Sequence, residues 1–88
     1  ALQLGLVNHV FHPQAFKDSL DAIALQYAQG PTQSYGFVKK MLQAGMTATL
    51  DEMLDMEVDY QQRAGNSADY TEGVSAFIEK RKPKFSGK

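Results

Sequence analysis

Near the C-terminus, the stretch EGVSAFIEKRKPKF, residues 72–85, sets Lys80, Arg81, Lys82 and Lys84 between Phe77 and Phe85. Ammonium and guanidinium groups hold phosphates, and a ring beside them can stack an adenine, so the cluster has the chemistry of a nucleotide contact. A plainer reading fits the same residues. Cations in the last turn of a helix that ends at Pro83 complement its dipole, with Phe77 in a core and a solvated basic tail behind it. Residue chemistry alone leaves both readings open.

Other chemistry is sparse. His9 and His12 have ligand-like spacing only on a helix, whereas they straddle an expected strand end, so they read as loop histidines. Asp51, Glu52, Asp55, Glu57 and Asp59 could in principle supply a paired acid and base. No histidine, serine nucleophile or glycine-rich loop accompanies them, and a solvated helix face accounts for them better. Met41, Met46, Met53 and Met56 suit packing or adaptable contacts between subunits. The chain has no Ser-His-Asp set, phosphate loop or dinucleotide fingerprint. No catalytic or metal-ligating residue is assigned, and no cofactor is expected.

Composition narrows the partners. A chain of 88 residues with 43% apolar content forms one small domain with a marginal core, burying only about 60% of its unfolded surface. The net charge of −1 provides no global field for nucleic acid or membrane, so neither is expected as a partner. The absence of cysteine removes disulfides and thiolate chemistry and fits a reducing cytoplasm. The apolar stretches are short and broken, so neither a transmembrane run nor a signal peptide is expected. A start at Ala1 rather than Met suggests a trimmed or processed piece of a longer chain.

These residues need elements to position them. Leu6, Val7, Val10 and Phe11 predict a strand over residues 6–11, with residues 1–12 as strand and link. Pro13 then opens a helix over 14–29, whose stripe is Phe16, Leu20, Ile23, Ala24 and Tyr27, and Gly30-Pro31 stops it. A second helix, over 32–44, carries Tyr35, Val38, Met41 and Leu42 and ends at Gly45. Thr49-Leu50-Asp51-Glu52 is a capping-box pattern that starts a third helix running to about residue 64. Its apolar set of Leu50, Met53, Leu54, Met56, Val58 and Tyr60 is wide enough to bury two faces. Ser67 or Asp69 caps a fourth helix bearing Tyr70, Val74, Phe77 and Ile78, expected to end at Pro83 and leave a tail over 83–88. The expected fold is mainly α, one short N-terminal strand followed by four helices. An unpaired strand and surplus apolar surface both call for a missing packing partner.

The order of these segments, with LGLVNHVF, AQGP, TLDEMLDMEVDYQ and SADYTEGVSAFIEKRKPKFSGK, resembles the C-terminal region of the crotonase superfamily, the enoyl-CoA hydratases and isomerases. The likeness runs along nearly the whole chain and is most specific in EGVSAFIEKRKPKFSG. Within the superfamily, DYQQRAGNSADYTEGVSAF is most similar to bacterial isomerases of phenylacetate breakdown that act on ring-epoxide CoA thioesters. The resemblance implies an upstream α/β core with an oxyanion hole and proton-transfer carboxylates, none of which match residues in this chain. It also implies a helical domain that packs on that core and builds a trimer, often paired into a hexamer. Phe77 and Lys80 match the family's AF.EK helix, whose phenylalanine and lysine contact the adenine end of CoA. Arg81, Lys82 and Phe85 follow as secondary CoA contacts. An acyl-CoA thioester is then the substrate, and this chain alone has no turnover.

Gly73, inside the fourth helix, costs about 0.5–1 kcal/mol relative to alanine, which suggests close approach of another helix or a ligand. Two rival readings remain, an independent helical interaction module and a complete small enzyme using Glu52 and Glu57.

Overall fold

The capping box forms as its pattern predicts. Thr49 Oγ1 accepts the Glu52 N–H at 3.3 Å, and the Glu52 carboxylate accepts the Thr49 N–H at 2.8 Å. In the computed structural model, which describes residues 1–88, this cap opens the third of four helices. A 3-10 turn at Pro13–Ala15 leads into α1 (Phe16–Ala28), followed by α2 (Thr32–Ala44), α3 (Leu50–Gly65) and α4 (Ala68–Ile78).

The breaks fall where the sequence places them. Gln29 closes α1 just before Gly30-Pro31, and Gly45 closes α2. Ser67 caps α4, its Oγ accepting the Tyr70 N–H at 3.0 Å, so the alternative cap, Asp69, is left for another task.

Two expectations need correction. No strand forms over residues 6–11, because a ladder needs a second strand to satisfy its N–H and C=O groups and this chain has none. Residues 1–8 instead make turns closed by Gly5 N–H to Leu2 O and Leu6 N–H to Ala1 O, each at 3.0 Å. The fourth helix also stops at Ile78, well before Pro83. Lys80 takes a left-handed conformation, φ 53°, and the backbone folds back. Arg81 N–H reaches Ala76 O at 3.0 Å and Lys80 N–H reaches Phe77 O at 3.2 Å, the paired bonds of a Schellman stop. Lys80, Arg81 and Lys82 therefore follow the helix rather than occupy its last turn.

Packing is shallow. Phe37 stacks on Tyr60 with centroids 4.8 Å apart, joining α2 to α3, and Tyr27 meets Tyr35 edge-on at 6.0 Å across the Gly30 turn. Met53, Met56, Tyr60 and Ala64 form the half-buried face of α3, while Leu50, Leu54 and Val58 stay exposed. Only one of the two apolar faces expected of this helix is therefore covered.

The molecule is a slab of 45 × 40 × 18 Å with a radius of gyration of 16.6 Å. A compact domain of this length has a radius of about 12 Å. Accessible surface is 7508 Å², where about 5,100 Å² is usual for a monomer of this mass. Only Ala76 and Asp69 are fully buried. No helix is long and apolar enough to cross a membrane.

Candidate functional site

The tail after α4 turns back along its own helix, and two carboxylates three residues apart hold it there. One helical turn brings Asp69 and Glu72 onto the same side of α4. Asp69, 4% exposed, accepts the Ser86 N–H at 2.6 Å, the Ser86 hydroxyl at 3.2 Å and the Gly87 N–H at 2.8 Å. Its own N–H donates to Lys88 O at 2.9 Å. With Asp69 saturated in this way, the final residues are fixed to the start of the helix.

Glu72 holds the nearer part of the tail. Its two oxygens accept from Arg81 Nη1 at 2.6 Å and Nη2 at 2.9 Å, and Oε1 also accepts the Lys84 N–H at 2.8 Å. The hydrogen bonds from Arg81, and then from the Lys84 backbone, draw the Glu72 carboxyl from an ordinary 4.5 down to about 2. Arg81 is held still more firmly in its charged form by Glu72 and by Glu79, which accepts Nε at 2.6 Å.

Between the two anchored points of the tail, Lys84 and Ser86, lies the Phe85 ring. Phe85, half-buried, covers Gly73, where a methyl group would sit 3.6 Å from the ring. That is ordinary contact, so the Gly73 neighbour in this chain is the tail ring rather than a second helix. Phe77 is 85% exposed, which contradicts a core role within this chain. Phe77, Phe85, Tyr70, Val74, Gly73 and Pro31 line one open apolar hollow of about 340 Å³.

The sequence-predicted residues thus divide into groups. Phe77 and Lys80 are joined by the helix stop, and Phe77 and Phe85 share the hollow. Lys80, Lys82 and Lys84 make no side-chain ion pair, whereas Arg81 is engaged by two carboxylates. Lys82 and Lys84 lie toward the end of α1, beside Ala28 and Gln29. An exposed ring and an unpaired lysine joined by one helix stop have the chemistry to receive a flat heterocycle and an anion. The left-handed Lys80 costs about 1–2 kcal/mol, a strain that the surrounding bonds must over-determine.

Sequence reasoning missed Glu72 and saw Asp69 only as a cap. Their partners lie 9 to 19 residues away across a chain reversal, beyond the reach of local spacing. An acid at each end of one helical turn, followed by a basic, proline-containing tail, is the signal that could have found them.

Comparison with known proteins identifies the family of the chain. The family model for enoyl-CoA hydratase/isomerase matches residues 1–88. The chain is 43% identical over its whole length to 1,2-epoxyphenylacetyl-CoA isomerase of Escherichia coli K12, of which it covers 34%. It is 34% identical to a trans-2-decenoyl-acyl-carrier-protein isomerase of Streptococcus mutans, again over its whole length and 34% of that protein. A crystal structure described as an enoyl-CoA hydratase/isomerase from Mycobacterium abscessus superposes with a TM-score of 0.94 at 36% identity, covering all of this chain and 34% of that one. The chain thus spans about a third of the length of the relatives it matches.

Proposed function

This chain belongs to the enoyl-CoA hydratase/isomerase family, and we propose that it is the C-terminal helical part of an enzyme acting on acyl-CoA thioesters. In that enzyme it docks on an upstream α/β core, helps to build a trimer or hexamer, and presents Phe77 and Lys80 to the adenine end of CoA. The observation that carries the reading is Phe77, 85% exposed, whose backbone carbonyl accepts the N–H of a left-handed Lys80 whose ammonium has no ion-pair partner. A ring and a cation held in one turn suit an adenine and a phosphate together. The surplus of surface over a compact monomer, with Leu50, Leu54 and Val58 open along α3, supports the docking role.

We assign no proton transfer to these residues. Glu52 is engaged in its cap, and the oxyanion donors and acid–base carboxylates belong to the core. The finer substrate proposed is a ring-epoxide CoA thioester, on the 43% likeness to the E. coli isomerase. A cytoplasmic setting is proposed with it, which the cysteine-free chain fits.

The S. mutans relative is named for an acyl-carrier-protein substrate, and that carrier shares the pantetheine arm of CoA but not its adenine. The test exploits this difference. In the full-length protein, Phe77→Ala with Lys80→Ala is expected to weaken binding of a CoA thioester about tenfold by calorimetry. Binding of the matching pantetheine thioester should not change. Unaltered CoA-thioester binding would contradict the reading.

A further inference from the structure

We propose that Glu72 is the positioning residue for the Phe77–Lys80 contact, acting through its two-point pair with Arg81 and its bond from the Lys84 N–H to keep the chain in the left-handed turn at Lys80. The inference rests on the reading of Phe77 and Lys80 as the CoA-contacting pair. Nothing intrinsic to lysine favours φ 53°, and glycine is the usual residue at that position of a helix stop. The turn must therefore be held from outside. Arg81, the next residue, is gripped through both Nη atoms by Glu72 at 2.6 and 2.9 Å, and the same carboxylate fixes the backbone at Lys84, 2.8 Å away. Residues on both sides of Lys82-Pro83 are tied to a single side chain on the preceding helix. Glu79 adds a second hold on Arg81 through Nε at 2.6 Å, but as the residue next to the turn it cannot anchor the turn to the body of α4.

The consequence is a division of labour among the bases. Arg81 is a structural cation whose charge is already matched, and Lys80 is the ligand-facing one. Were Glu72 lost, Arg81 would keep only one carboxylate partner, Glu79, itself beside the turn, and the turn at Lys80 would relax toward ordinary backbone.

Full-length protein carrying Glu72→Gln, Lys80→Ala and both together provides the test, read as KM and kcat for a CoA thioester and for its pantetheine counterpart, with melting temperatures recorded. The expected result is that Glu72→Gln raises KM for the CoA thioester about fivefold, leaves kcat and the pantetheine substrate unchanged, and adds nothing on top of Lys80→Ala. Arg81→Lys, which removes the two-point geometry with less disturbance, is expected to act in the same direction and decides the matter if Glu72→Gln fails to fold. Full additivity of Glu72→Gln and Lys80→Ala, or an unchanged KM in Glu72→Gln, would overturn the positioning role while leaving the CoA contact standing. An unchanged KM in Lys80→Ala would instead remove the CoA contact, and the positioning role with it.

Discussion

Glu72 and Arg81, nine residues apart and on either side of a helix end, meet in a two-point ion pair with O···N distances of 2.6 and 2.9 Å. Because the folded Glu72 carboxyl lies near 2 and its ordinary value is 4.5, the folded state holds fewer protons than the unfolded one between those values. The stabilisation from this pair is therefore complete above about pH 4.5 and is lost as the pH falls through about 2. The carboxyl carbon resonance of Glu72 should titrate with a midpoint near the lower value. A midpoint near 4.5 would mean that the pair does not persist in solution.

Lys80 occupies a conformation that glycine adopts without steric cost. Lys80→Gly should therefore raise stability against urea by about 1 kcal/mol even though it removes the proposed ligand contact. A gain in stability together with a loss of CoA affinity would separate the two roles of the position. Lower stability would contradict the geometry assigned to the helix stop.

Two glycines around the same tail should respond in opposite ways. Gly73 lies in α4 with space for a methyl group at 3.6 Å from Phe85, so Gly73→Ala should stabilise the helix by about 0.5–1 kcal/mol. Gly87 has φ 80°, and a methyl group there would run into the Thr32 hydroxyl, so Gly87→Ala should cost about 1–2 kcal/mol. Thermal unfolding of both variants checks the pair of signs, and destabilisation by Gly73→Ala would indicate a closer neighbour in the assembled protein.

The open slab predicts the behaviour of the 88-residue chain by itself. With 7508 Å² accessible and Leu42, Met46, Leu50 and Val58 largely uncovered, it should associate in sedimentation experiments. A well-behaved monomer with a radius of gyration near the compact value of about 12 Å would favour an independent module instead.

Much of the fold is legible in the sequence because its punctuation is local. Pro13, Gly30-Pro31, Gly45, Thr49 with Glu52, and Ser67 each act within one turn of chain, and each marks a boundary in the structure. Residues 6–11 have strand-forming side chains, but strand formation is a property of a pair, and no second strand lies in this chain. The end of α4 is misread for a related reason. Pro83 is a visible stop, yet the operative one is the turn at Lys80, tied by Glu72 to residues the helix has not yet reached. Of the site, the ring and bases of residues 77–85 are readable from composition, whereas the engagement of Arg81 and the exposure of Phe77 require the fold.

A crystal structure of the full-length protein with a CoA thioester bound tests the central claim most directly. The account predicts the adenine against the Phe77 ring, the Lys80 ammonium beside the nucleotide and its phosphates, and Arg81 still paired with Glu72. A CoA nucleotide bound away from both Phe77 and Lys80, or Arg81 released from Glu72 to hold its phosphates, would contradict it.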